Sequence, residues 1–344
     1  LQLFSVGVFK LNLDGTLQVD QAGMPIPTYT EAQVAGLSKV FTGWTYYQTV
    51  QPYKFSSAPK DWLHPMMAIA SEHSTVEKPL LDGVVLPAGQ TPEKDLADAL
   101  DLIANHPNVG PFISRQLIQR LVTGNPTRGY IQRVATVFNN NGNGVRGDLG
   151  AVVRAILLDP EARNLALSRE STWGKQREPM IRFVSLARAF TARATSGKFA
   201  VWNLQKDMGQ GPFRSPSVFN FFEPNYQPPG LLRDLGIYAP EFQITTESAV
   251  VTSANTLRSL INGWYGWPKE DQLKLNLAAE IALAPTPELL IERLNRLLFA
   301  GGMSNELKTI TLDMLGALRT RTPDARVKAA ILLLTRSPES VIQK

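Results

Sequence analysis

Apolar and polar positions alternate through residues 8–20, VFKLNLDGTLQVD, on both sides of Asp14-Gly15. That dipeptide favours a two-residue turn, so the stretch predicts a short N-terminal β-hairpin. Past MPIP the period changes: Val34, Leu37, Val40 and Phe41 recur at helical spacing behind a cap at Thr28 or Thr30. Residues 45–92 combine aromatics, prolines, His64 and His73 with weak periodicity, which reads as a long ordered surface region. Thr91-Pro92 then opens a helix with acids in its first turn and Leu96, Leu100 and Ile103 on one face. Further helices are expected over 111–123, over 127–138 with Tyr130, Val134 and Val137, and in GDLGAVVRAILLDPEAR. More follow from near Pro179, near 241–262, 286–299 and 304–320, and in DARVKAAILLLTRSPE.

The pattern predicts a mainly α protein: a compact multi-helix domain with a short hairpin and long ordered irregular segments. A main helical domain over residues 1–267 and a C-terminal helical lobe over 268–344 are expected. The Gly- and Pro-rich stretch 203–240 contains PSVFNFFEPNY, too apolar for a flexible linker. Val218, Phe219, Phe221 and Phe222 are therefore expected to be buried.

Composition narrows the chemistry. With no cysteine, the chain has no disulfide, thiolate nucleophile or cysteine-held metal cluster. The excess of 35 basic over 30 acidic side chains gives +5, but the basic residues form no stripe, so no nucleic-acid partner is expected. No stretch approaches the roughly 20 apolar residues that span a bilayer. The opening LQLFSVGVFK lacks the features of a signal peptide and reads as continuing from an upstream part.

On the helix within HPNVGPFISRQLIQRLVTGNP, Ile113, Leu117, Ile118, Leu121 and Val122 fill one arc, and Arg115, Gln116, Gln119 and Arg120 share the other. Those residues either are solvated or turn Arg115 or Arg120 inward to hold an anion on a planar guanidinium. His106, just ahead, is a helix cap or a proton carrier. His73 and Lys78 in EHSTVEK are further polar candidates, without the spacing of a histidine metal site. In NNNGNGVRGD, Asn139, Asn141, Asn143, Gly144 and Asp148 echo a calcium loop, but Gly150 stands where a bidentate Glu belongs. A tight turn fits as well; no cofactor is expected beyond weak calcium. GxSxG, Walker and dinucleotide motifs are missing. Glu178, Glu223, Glu241 and Glu247 remain as acids near the proline-rich segment, with Arg177 and Arg214 beside them. Trp44, Tyr46, Trp264, Tyr265 and Trp267 suit stacking on sugar rings or plugging a core.

LQLFSVG, LNLDGT, PTYTEAQVAGLSKVFTGW, HPNVGPFISRQLIQRLVTGNP, GVRGDLGAVVRAILLDPEAR, KQREP, RSPSVFNFFEPNY and APEFQITTE follow one another along the chain. This series resembles the bacterial family designated domain of unknown function 1800. The resemblance implies a mostly helical, extracytoplasmic protein, exported by a signal lying upstream and encoded beside a second exported protein, a possible partner. It implies no established reaction. KQREP departs slightly from the family pattern, which more often has Leu in place of Gln176.

Export, loop aromatics and the acid inventory together point to a hydrolase acting on a polysaccharide. Two of Glu178, Glu223 and Glu241 would serve as acid and base. His73, Lys78, His106, Arg115, Arg120, Arg177 and Arg214 would bind substrate. The alternative is a non-catalytic secreted binding or assembly protein, whose polar residues knit loops to helices.

Overall fold

The computed structural model describes residues 1–167, 170–201 and 203–344. It is mainly α, and its strands are two-residue ribbons. The chain divides into two compact units, residues 1–121 with 126–163, and residues 122–125 with 164–344. The boundary expected near residue 268 thus lies inside the second unit.

In the first unit, the expected hairpin is a run of single antiparallel bridges, Leu11 with Leu17 and Val19 with Pro25, rather than continuous strands. Helix α1 (Glu31–Val40) starts at a capping box in which Thr30 and Gln33 bond each other's backbone N–H. A ribbon of β1 (Trp44–Thr45) and β2 (Met67–Ala68) follows, then one of β3 (Lys78–Pro79) and β4 (Val85–Leu86). Buried Gly36 sets α1 against β3: a Cβ there would sit 1.9 Å from the Pro79 carbonyl oxygen. Helix α2 (Pro92–Asn105) is capped by Thr91 with proline at its first position. Val40, Leu80, Leu86 and Ala99 form a small core between these pieces. Helices α3 (Val109–Leu121), α4 (Arg128–Asn139) and α5 (Leu149–Leu158) pack mutually, with α6 (Pro160–Arg163) after them. Buried Tyr130 bonds the Ile156 carbonyl at 2.6 Å across the α4–α5 contact.

The second unit pairs β5 (Lys175–Gln176) with β6 (Ile342–Gln343). Between them run α7 (Pro179–Ala189), α8 (Leu204–Met208), α9 (Leu231–Asp234) and α10 (Glu247–Ile261). Then come α11 (Ala278–Leu283), α12 (Pro287–Phe299), α13 (Asn305–Ala317), α14 (Pro323–Arg336) and α15 (Pro338–Val341). One continuous core joins Phe183, Leu257, Leu273, Leu290, Leu315 and Ile331.

The segment 203–240 departs from expectation. Phe222 is buried, but Val218 and Phe219 remain 61% and 45% exposed. Phe221 is half-buried, and a turn closed by the Asn220 N–H on the Ser217 carbonyl at 3.1 Å carries the two exposed side chains.

Candidate functional site

Asp95 lies in the first turn of α2, where the positive end of the helix favours a carboxylate. Its Oδ2 is 2.6 Å from Lys78 Nζ and 2.9 Å from His73 Nε2. His73 Nδ1 in turn donates to the Thr42 carbonyl at 2.9 Å. Lys78 spends its other two donors on the carbonyls of Ser74, at 2.7 Å, and Val76, at 3.0 Å. All three side chains are enclosed. The cluster brings together the two sequence candidates His73 and Lys78 and adds Asp95, which the hydrophobic pattern missed. Its three groups tie the 73–79 loop to α2; with every Lys78 donor taken by protein, none remains for a ligand.

His106 stands apart from that cluster. Its Nδ1 accepts the Asn108 N–H at 3.1 Å, so it caps the turn into α3, and Nε2 faces Asp82 Oδ2 at 3.3 Å. Asp82 also pairs with Lys10 at 3.0 Å. Burial pushes the His106 pKa below the ordinary histidine value, and Asp82 opposes that shift. Arg146, not singled out by the sequence, clamps the same corner through the carbonyls of Ala104 and His106, both at 2.9 Å. Arg115 and Arg120 are half-buried along α3. In the Asn-rich loop, Asn140 and Asn141 turn their side-chain oxygens on loop N–H groups, and Asp148 caps α5 through the Ala151 N–H. These bonds make a self-stitched turn. Among the described residues no cluster of three His, Asp or Glu side chains suits a metal ion.

The second unit holds the remaining candidates. Glu241 is enclosed with Lys175, Nζ to Oε1 3.2 Å. Glu178 accepts from Gln210 Nε2. Glu223 and Arg214 are exposed, and Arg177 is half-buried. Tyr265 packs on Phe183 with ring centres 4.9 Å apart and is core, whereas Trp264 and Trp267 are exposed.

The open concavity of the first unit lies on the loop between β1 and β2. The ribbon pairs Trp44 with Ala68 and Thr45 with Met67, which brings the ends of the loop together. Inside, Gln48 and Lys54 exchange two hydrogen bonds of 2.9 Å, and Thr45 Oγ1 reaches the Phe55 carbonyl at 3.2 Å. Asp61 accepts the N–H groups of Leu63 and His64, and its Oδ2 is 2.9 Å from His64 Nδ1. The His64 hydrogen bond, then that of Leu63, holds the Asp61 carboxyl below the usual carboxylate range. The result is a cavity of about 580 Å³ lined by Trp44, Tyr46, Phe55, Trp62 and His64, with Lys60 and Asp61 at its wall. Tyr46 and Trp62 meet edge to face at 5.3 Å and 72°. Trp62 is 75% exposed, its contact with Tyr46 notwithstanding. Buried Trp44 Nε1–H has no acceptor among the described residues. The sequence singled out Trp44 and Tyr46; Phe55 and Trp62 lie in a stretch without periodicity.

A family model described as protein of unknown function (DUF1800) matches residues 1–342. The chain belongs to the DUF1800 family. No curated protein and no solved structure matches it. Within this DUF1800 chain, no helix among the described residues is long and apolar enough to cross a membrane.

Proposed function

We propose that the chain is an extracytoplasmic glycan-binding protein whose site is the aromatic cavity of the first unit. The observation that carries this reading is the set of rings around that cavity, one of them, Trp62, in contact with Tyr46 and open to solvent. A sugar presents an apolar C–H face and a rim of hydroxyls. Aromatic faces bind the first, and a few fixed polar groups orient the second. Asp61, ionised and braced by His64, accepts from hydroxyls; Lys60 donates to them.

Hydrolysis is the weaker reading. It needs two carboxyl groups roughly 5 to 10 Å apart with the sugar between them. Among the described residues the cavity lining has one acid, Asp61, and Glu241 is shut in with Lys175.

The test is affinity electrophoresis of the chain through gels containing neutral, acidic and amino polysaccharides, with a reducing-end assay on the same mixtures. Retardation by at least one polysaccharide without release of reducing ends is expected. Release of reducing ends would restore the hydrolase, and no retardation would remove the glycan.

A further inference from the structure

The second unit carries a separate cavity of about 370 Å³ whose lining, among the described residues, includes Arg177, Arg182 and Arg296 and no acid. Arg177 follows β5, Arg182 lies on α7 and Arg296 on α12, so three elements each bring an arginine to the lining of one space. Buried or half-buried arginines ordinarily meet a carboxylate, because an uncompensated charge removed from water is costly. Here the compensation is thin. Arg182 donates to the Thr335 carbonyl at 3.3 Å, and its buried Nε has no acceptor among the described residues. No acceptor meets the Arg177 side chain among those residues; only its backbone N–H is engaged, by the Val341 carbonyl. Arg296 has one loose partner, Glu292 at 3.6 Å, on the exposed side of α12. Burial lowers the pKa of both Arg177 and Arg182, and the charge of Arg177 adds to the effect on Arg182.

We propose that this cavity binds an oxyanion, the phosphate or sulfate group of a small ester, with Arg177, Arg182 and Arg296 as its ligands. Arg177 and Arg182 lie close enough to repel, and an anion in the cavity offsets that repulsion, a dianion more than a monocarboxylate. Planar guanidinium groups match the tetrahedral oxygens by paired N–H donors. Ser340 supplies a hydroxyl, and Ile181, Leu257 and Leu297 supply an apolar wall for the body of the ester. This site is independent of the glycan reading: its residues, its unit and its ligand chemistry are different.

The test is calorimetric and thermal-shift titration of the full chain with inorganic phosphate and sulfate, beside chloride and acetate at matched ionic strength. A saturable rise in melting temperature is expected with phosphate and sulfate and not with chloride or acetate. Arg177→Gln should weaken binding at least tenfold. Arg296→Gln alters an exposed stem, so it should spare the fold and also weaken binding severalfold. Arg188→Gln, on the exposed side of the same helix α7, should leave binding unchanged. Equal shifts with chloride, equal affinity for acetate, or binding that survives both Arg177→Gln and Arg296→Gln would overturn the proposal.

Discussion

His73 Nε2 stands 2.9 Å from Asp95 Oδ2, and both side chains are sealed from solvent with Lys78 on the same carboxylate oxygen. Removing the carboxylate strands two cation-forming groups in the interior. Asp95→Ala should therefore cost about 3–5 kcal/mol, the cost of breaking a buried ion pair. Lys94→Ala, at the position next to Asp95, deletes the exposed partner of Asp98 and should leave the urea midpoint nearly unchanged. Equal effects of the two substitutions would remove the cluster's structural role.

Gly36→Ala provides a second check on how α1 is placed. Alanine improves helix propensity by about 1 kcal/mol, but the new Cβ meets the Pro79 carbonyl. Overpacking costs about 1–3 kcal/mol and should win, so the melting temperature should fall. A rise would mean that α1 and β3 are further apart than described.

Helix starts were legible in the sequence because their signals are local. Thr91-Pro92 combines a cap with a proline at the first position and begins a helix, and the helix expected from residue 127 begins behind a Thr127 cap. Helix faces were less legible. The apolar spacing of α2 pointed to Leu100, which is exposed, whereas the buried stripe runs through Pro92, Asp95 and Ala99. Asp95 is tolerated inside because Lys78, 17 residues earlier, neutralises it, and no local pattern announces such a pair. The aromatic cavity was half visible: GWTYY marked Trp44 and Tyr46, but Phe55 and Trp62 join them only through the ribbon that closes the loop.

The Phe-rich segment separates its rings. Phe222→Ala should cost about 3–5 kcal/mol, as for a core aromatic, while Phe219→Ala should lower the denaturation midpoint much less. Denaturant titration of the two variants checks this, and a larger loss for Phe219→Ala would put the wrong ring in the core.

His106 gives the fold a pH dependence of definite sign. Burial lowers its folded pKa, Lys10 and Arg146 add to that, and Asp82 works against it. The unfolded chain takes up the proton near 6.5, before the folded chain does. This contribution is intact above that value and is lost as pH falls toward the folded pKa. His106→Gln should flatten the decline in melting temperature between about pH 7.5 and 5. An unchanged slope would show that other groups carry the acid sensitivity.

Isothermal titration with the polysaccharide that retards the chain most, comparing Trp62→Ala with Trp267→Ala, tests the glycan site most directly. Both rings are exposed, so neither variant should unfold the protein, but only Trp62 lines the aromatic cavity. The predicted result is at least a tenfold loss of affinity for Trp62→Ala and none for Trp267→Ala; undiminished binding by Trp62→Ala would contradict it.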